Sequence, residues 1–222
     1  PTSSDSLRSV ASPFFGNYYC LIPGTSLAFV AISKNAVTYL KKVALFQTTR
    51  EWVTSDRQAH HLIGYDMTSP YLVPVDRMDA FEAQHGARRR FAVWRDPVRR
   101  IESTYALFCL QGEPRTYFHL LALDDRPTFE RFLQVARWEW SKPDPLDQDE
   151  HLRRQVDYVD PAALHDVVAL PRLNDYLAGH GLSAPVPRAN QSTAAFRVED
   201  PAHVAEIKER YAADYSIEVT VQ

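Results

Sequence analysis

Three short apolar runs constrain this chain more than any other feature: Leu27-Ala28-Phe29-Val30-Ala31-Ile32, Phe91-Ala92-Val93-Trp94 and Val167-Val168-Ala169-Leu170. Each has strand length, and the residues after each show the apolar spacing of a helix. An unbroken apolar run is what a strand buried on both faces looks like, whereas a strand with one wet face alternates. Such strands alternating with helices imply a central parallel sheet flanked by helices. The chain has 222 residues, 45% of them apolar, enough for one such domain. We therefore expect a single α/β domain over residues 1–222, with residues 1–24 forming an aromatic arm (Phe14, Phe15, Tyr18, Tyr19) packed on it.

The remaining elements follow from local pattern. Val37, Leu40, Val43 and Ala44 predict a helix over Asn35–Phe46. Tyr71–Val75 reads as a short edge strand because Pro74 removes a ladder donor. Further helices are expected over Arg77–His85, Pro97–Leu110 and Thr128–Trp138. Another should end at Gly179 or Gly181, and a last one should run from Asp200-Pro201 to about Ala213. Ala184–Ala195, with Pro185 and Pro187, reads as an ordered loop.

Charge and cysteine content narrow the function classes. A net charge of −3 argues against a dedicated nucleic-acid binder. Two cysteines, Cys20 and Cys109, exclude a disulfide-dense scaffold and a Cys-rich zinc module. No apolar stretch approaches a membrane span, and no signal peptide is visible. The expected setting is the cytoplasm of a bacterium, or the Golgi lumen if an N-terminal anchor has been trimmed.

Two of the strand-to-helix turns are basic and carry hydroxyls, about sixty residues apart. At the first, Lys34 supplies a cation, Thr38 and Tyr39 hydroxyls, and Asn35, Ala36, Val37, Thr38 and Tyr39 the amides of a helix start. Free N–H groups at a helix N-terminus beside a cation suit a phosphate. No Gly-rich GxxxxGK[ST] precedes Lys34, and the nearest glycine is Gly24, which weakens an ATP-binding reading. At the second turn, Arg95 leaves the strand at its carboxyl end and Ser103 follows about two helical turns later. Arg offers a planar fork for phosphate oxygens. Asp96 is a candidate cap, Pro97 suits the first helical position, and Arg100 and Tyr105 are placed to support the turn. Two such turns on one sheet suggest a ligand with two separated phosphate-like groups.

At these residues the chain resembles the sulfotransferases that use 3′-phosphoadenosine 5′-phosphosulfate (PAPS), especially their carbohydrate branch. Lys34 and Thr38 match a PK-x-A/G-x-T loop, with Ser33 in place of Pro and Val37 where several branches have Gly. Arg95, Asp96, Pro97, Arg100, Ser103 and Tyr105 match an R-[DE]-P-x-x-R-x-x-S-x-Y segment. Asp149–Gln155 resembles D/N-x-H-W-x-P-Q, with Leu152 and Arg154 replacing Trp and Pro. Asn190-Gln191-Ser192 resembles an N-x-S element, and Tyr211–Tyr215 a closing Y-x-x-D-[FY] element.

The resemblance implies a P-loop-NTPase-like sulfotransferase fold, PAPS as donor, PAP as product and no metal. It implies phosphosulfate contacts from the Lys34–Tyr39 turn, 3′-phosphate contacts from Arg95 and Ser103, and a cofactor contact from Ser192. Lys34 would also stabilise charge on the leaving oxygen. The acceptor would be a hydroxyl of a carbohydrate or another small molecule.

In-line sulfuryl transfer needs a base for the acceptor proton, and histidine is the natural residue. His60 and His61 lie between the two turns, where several family branches hold their base, and His151 matches a recurrent family histidine. Glu102, Asp66 and His85 remain as further candidates. Trp138 and Trp140 read as core or as the lining of an acceptor pocket, and Arg88-Arg89-Arg90 as a solvated charge run or an attractor for an anionic acceptor. Two rival functions stand beside transfer: an ATP- and Mg²⁺-dependent phosphotransferase of related topology, and a nucleotide-binding module without turnover.

Overall fold

The run at Leu27 becomes a fully buried strand, β2 (Leu27–Val30), but another strand precedes it. Tyr18–Leu21, expected in the arm, forms β1 and pairs antiparallel with β2 through Tyr19↔Val30 and Leu21↔Ala28. The cause lies between them. In Ile22-Pro23-Gly24-Thr25 the Thr25 N–H bonds to the Ile22 carbonyl at 3.3 Å, and Gly24 sits at φ +74°. Pro followed by a left-handed Gly is the signature of a type II turn. The Thr25 hydroxyl locks the corner by donating to Ile22 O and accepting from Leu27 N. The computed structural model describes residues 17–64, 69–110, 127–182, 184–185 and 196–221.

The sheet has five strands in the order β3-β1-β2-β4-β5, where β3 is Leu72–Pro74, β4 Arg89–Trp94 and β5 Asp166–Ala169. β2, β4 and β5 are mutually parallel, with Phe29↔Phe91 and Val93↔Val168 in register. β1 runs against both β2 and β3, so the sheet is mixed where a parallel one was expected. A tight turn can join only antiparallel neighbours, whereas parallel ones need a crossover. The three predicted apolar runs are the three parallel strands. β3 lies at the edge, as Pro74 requires.

The helices are α1 (Val37–Thr49), α2 (Asp56–Ile63), α3 (Met78–His85), α4 (Pro97–Tyr105), α5 (Phe129–Trp140), α6 (Leu173–Gly179), α7 (Pro201–Arg210) and α8 (Ala212–Tyr215). Side chains of Asp96, Thr128 and Asp200 accept the N–H of Arg99, Arg131 and Ala202, capping α4, α5 and α7. α4 runs on as a π-helical turn, Ala106–Leu110. Leu27 and Phe29 pack on one face of the sheet with Leu40, Val43, Ile63 and Leu173. Ala28 and Val30 pack on the other with Met78, Ala92 and Tyr158. A third apolar cluster joins α4, α5 and α7 through Ile101, Phe132, Leu133 and Ile207. Among the described residues no helix is long and apolar enough to cross a membrane.

Arg88, Arg89 and Arg90 each have a partner within the protein, although Arg89 remains exposed. Arg88 donates to the Thr25 carbonyl, Arg89 pairs with Asp166, and Arg90 pairs with Asp79 and Glu82. They sit at the amino end of β4, opposite the end from which Arg95 emerges.

Candidate functional site

Between β2 and α1 the chain turns through Ser33–Ala36, and two residues with a Cβ occupy the left-handed region: Lys34 at φ +70° and Ala36 at φ +63°. Left-handed backbone costs such residues about 1–2 kcal/mol each. Asn35 holds the conformation between them. It is 2% exposed; its N–H bonds to Ile32 O, and its side-chain amide donates to Val93 O at 2.7 Å and to Gln155 Oε1. Alternation of left-handed residues with others is a backbone arrangement that can form an anion-binding concavity from its N–H groups, although the Asn35 N–H is spent on Ile32 O. α1 then starts without an acid in its first turn. Among the described residues no side chain caps its opening amides.

Arg95 joins this turn directly. Its Nη1 donates to the Lys34 carbonyl at 2.8 Å, so two turns expected to hold separate ends of a ligand adjoin. Gln155 clasps the Arg95 backbone, its Oε1 accepting from Arg95 N (3.1 Å) and its Nε2 donating to Arg95 O (2.9 Å). Asp214, fully buried, accepts from Gln155 N and Nε2 and from Val156 N. Arg100, also fully buried, donates to Ser33 O (2.9 Å), Arg153 O (2.6 Å) and Glu150 O (2.9 Å). The Lys34, Arg95, Asp149–Gln155 and Tyr211–Tyr215 segments, scattered along the sequence, thus form one hydrogen-bonded body.

Positive charge gathers at this turn. Burial, with the Arg95 and Arg100 guanidinium groups, pushes Lys34 down to about 8. Three cations converge on one turn, and a bound anion would relieve their repulsion. Tyr39 takes no part through its hydroxyl, which donates to Asn174 Oδ1 at 3.1 Å; Thr38 is the hydroxyl of this turn. Tyr105 donates to Pro127 O, tying α4 to the start of α5. Ser103 is 9% exposed on α4, next to Glu102, which holds Arg99, Arg197 and the Val198 N–H. Ser192 and Asp66 lie outside the described residues, as does most of the Ala184–Ala195 loop.

Among the histidines, His60 reaches the turn. α2, which the sequence pattern did not suggest, brings its Nε2 to 2.9 Å from Thr38 Oγ1 and its Nδ1 to 3.3 Å from Lys41 Nζ. The adjacent His61 is exposed. His151 forms a dyad with Asp149: Nδ1 lies 3.0 Å from Oδ1, which also accepts the His151 N–H, and Phe108 packs edge-on against the ring. His60 and His151 are near enough for their charges to interact. Glu102 is occupied by its arginines, and His85 stacks on Phe81 in α3. Trp138 is half exposed beneath Lys142, and Trp140 donates to Leu152 O. Among the described residues no cluster of His, Cys, Asp and Glu is grouped to hold a metal.

Burial, followed by Lys41, depresses His60 to about 4. A histidine unfolded at about 6.5 and folded at about 4 binds more protons when unfolded. Its neutral form therefore supports folding above pH ~6.5, and stability falls as the pH drops from there towards 4. Urea titrations across that window should show an acid-side loss that His60→Gln diminishes. An unchanged slope would contradict the depressed value.

Sequence reasoning passed over Lys41, and it placed Gln155 in a segment without giving it the role of clasping Arg95. A signal for Lys41 was present: it lies four residues after Val37, inside the apolar stripe of α1, where a charge needs a reason. No family model, curated protein or solved structure matches this chain.

Proposed function

We propose that the chain is a PAPS-dependent sulfotransferase acting on a hydroxyl of a carbohydrate or other small molecule. The observation that carries the reading is the Lys34–Ala36 turn: two left-handed residues, an uncapped helix start and three converging cations. Strain held in place by buried hydrogen bonds is characteristic of functional turns.

PAPS supplies a sulfuryl group already attached to a phosphate leaving group. The residues fit such a ligand: the α1 amides, Lys34 and Thr38 would hold the phosphosulfate, and Arg95 with Ser103 the 3′-phosphate. Lys34 stabilises charge gathering on the leaving oxygen from a site poor in water, where such stabilisation is strongest. His151 accepts the acceptor's proton at Nε2, because Asp149 holds Nδ1 and so fixes the ring and its tautomer. Glu150 Oε1, 3.9 Å from Nε2, lies on the same side.

Thermal shift against nucleotides tests the reading. PAP at a hundred times its Kd is expected to stabilise the protein by about 2.7 kcal/mol. 5′-AMP, which lacks the 3′-phosphate, should do far less at the same concentration. Arg95→Ala should weaken PAP by about tenfold and 5′-AMP clearly less, because Arg95 also supports the Lys34 turn. Equal loss for both, or stabilisation only by ATP with Mg²⁺, would overturn the assignment in favour of phosphoryl transfer.

A further inference from the structure

Lys41 is 1% exposed, yet among the described residues its ammonium bonds only to Tyr18 Oη (3.1 Å) and His60 Nδ1 (3.3 Å), with the Tyr18 ring 5.4 Å away. Among the described residues no carboxylate is hydrogen-bonded to it; Glu150 is near enough for its charge to favour the ammonium, but burial outweighs it and lowers the lysine's pKa. The neighbouring Cys20 is no counter-charge, since burial pushes its thiol up to about 12. A buried cation held by neutral groups is expensive and calls for a reason.

An ammonium can only donate, so the Nδ1 it faces must accept. A neutral imidazole with an accepting Nδ1 carries its proton on Nε2, and Nε2 lies 2.9 Å from Thr38 Oγ1. The Thr38 oxygen is then occupied as an acceptor by His60. Its own O–H is left as a donor, and the Thr38 hydroxyl makes no other hydrogen bond among the described residues. Thr38 stands on the first turn of α1, at the mouth of the anion concavity.

We propose that Lys41 and His60 are positioning residues: they orient the Thr38 hydroxyl as a one-way donor to an anion seated on the Lys34–Ala36 turn. The inference rests on the anion-binding reading of that turn, and it makes His60 a donor to Thr38 rather than the base of the reaction. The charges facing His60 are Lys41 and Lys42 from α1, Asp56 from its own helix, and His151 from the Asp149–Gln155 segment. Burial, Lys41, Lys42 and His151 outweigh the opposing charge of Asp56 and keep the ring neutral at pH 7, as a relay of donors requires. Protonation would leave Nδ1 as a donor facing the donors of Lys41.

The test combines a spectroscopic signature with a binding cycle on the full chain. Nitrogen-15 spectra of His60 at pH 7 should show the neutral Nε2–H tautomer. The Nδ1–H tautomer or a charged ring would overturn the inference. Inorganic pyrophosphate serves as the anion probe. Thr38→Val should weaken it about tenfold, and Thr38→Ser should restore most of the loss. His60→Ala should also weaken it several-fold, whereas His60→Gln, which keeps a donor near Nε2, should stay within about twofold of the parent. In the Thr38→Val background, His60→Ala should add almost nothing, because the relay acts only through Thr38. Additive losses would overturn it, as would failure of the parent protein to bind pyrophosphate. Binding of pyrophosphate without binding of PAP would overturn only the nucleotide reading and leave the relay in place.

Discussion

Arg100→Leu is expected to cost about 3–5 kcal/mol of folding stability, the penalty typical of stripping one partner from a buried charged network. The leucine retains part of the volume but leaves the carbonyls of Ser33 and Arg153 without their donor, and that of Glu150 with the Tyr158 hydroxyl alone. Each buried acceptor left unpaired costs about 1–3 kcal/mol, and the three share one network, so the sum is less than additive. Arg100→Lys should recover little, because a point-like ammonium cannot serve three carbonyls that a planar guanidinium spans. Arg99→Leu, one residue away, is the control. Arg99 is half exposed and pairs with Glu102, which keeps two other partners, so a loss below about 1 kcal/mol is expected. Urea titration of the three variants decides the matter. A loss under about 1 kcal/mol for Arg100→Leu would show that the three segments hold together by other means.

Lys34→Met is expected to lower the rate of sulfuryl transfer about 10²–10³-fold, the scale on which preorganised charge stabilisation acts. Stability should move the other way. A lysine at about 8 in the fold and 10.5 outside it binds more protons when unfolded. Its charge therefore opposes folding fully below pH ~8, and the penalty fades as the pH rises towards ~10.5. At pH 7 the methionine variant should be as stable as the parent or more so, which separates a functional lysine from a structural one. Affinity for PAP in the parent should fall as the pH rises through about 8, because the cation that meets the phosphate is lost. His151→Ala gives the complementary pattern: a lowered kcat with PAP affinity kept. Unchanged transfer in Lys34→Met would show that Lys34 does not stabilise the leaving oxygen.

Much of the architecture was legible because it is written locally. The apolar runs that became β2, β4 and β5, and the caps Asp96, Thr128 and Asp200, are readable within a few residues of where they act. β1 was hidden because Tyr18–Leu21 has no alternation and continues an aromatic segment, although Pro23-Gly24 marked the turn after it. α2 was hidden because its polar residues, Asp56 to His61, bury only Ala59 and Ile63. Of three candidate histidines, no local pattern could separate His60, which faces Thr38, from His61 next to it.

The sequence by itself determined the three parallel strands and most of the helices, though not β1 or α2, and that two basic turns follow buried strands. Backbone periodicity and capping are contests among neighbours in the chain, and composition settles them. Only the tertiary structure decided that Lys34 meets Arg95, that Arg100 ties Ser33 to Arg153, and that Asp214 holds Gln155 between the two turns. Those bonds join residues 53 to 67 positions apart. A buried polar side chain takes whatever partner the packing brings within about 3 Å, and that distance is a property of the assembled sheet and helices rather than of any stretch of chain.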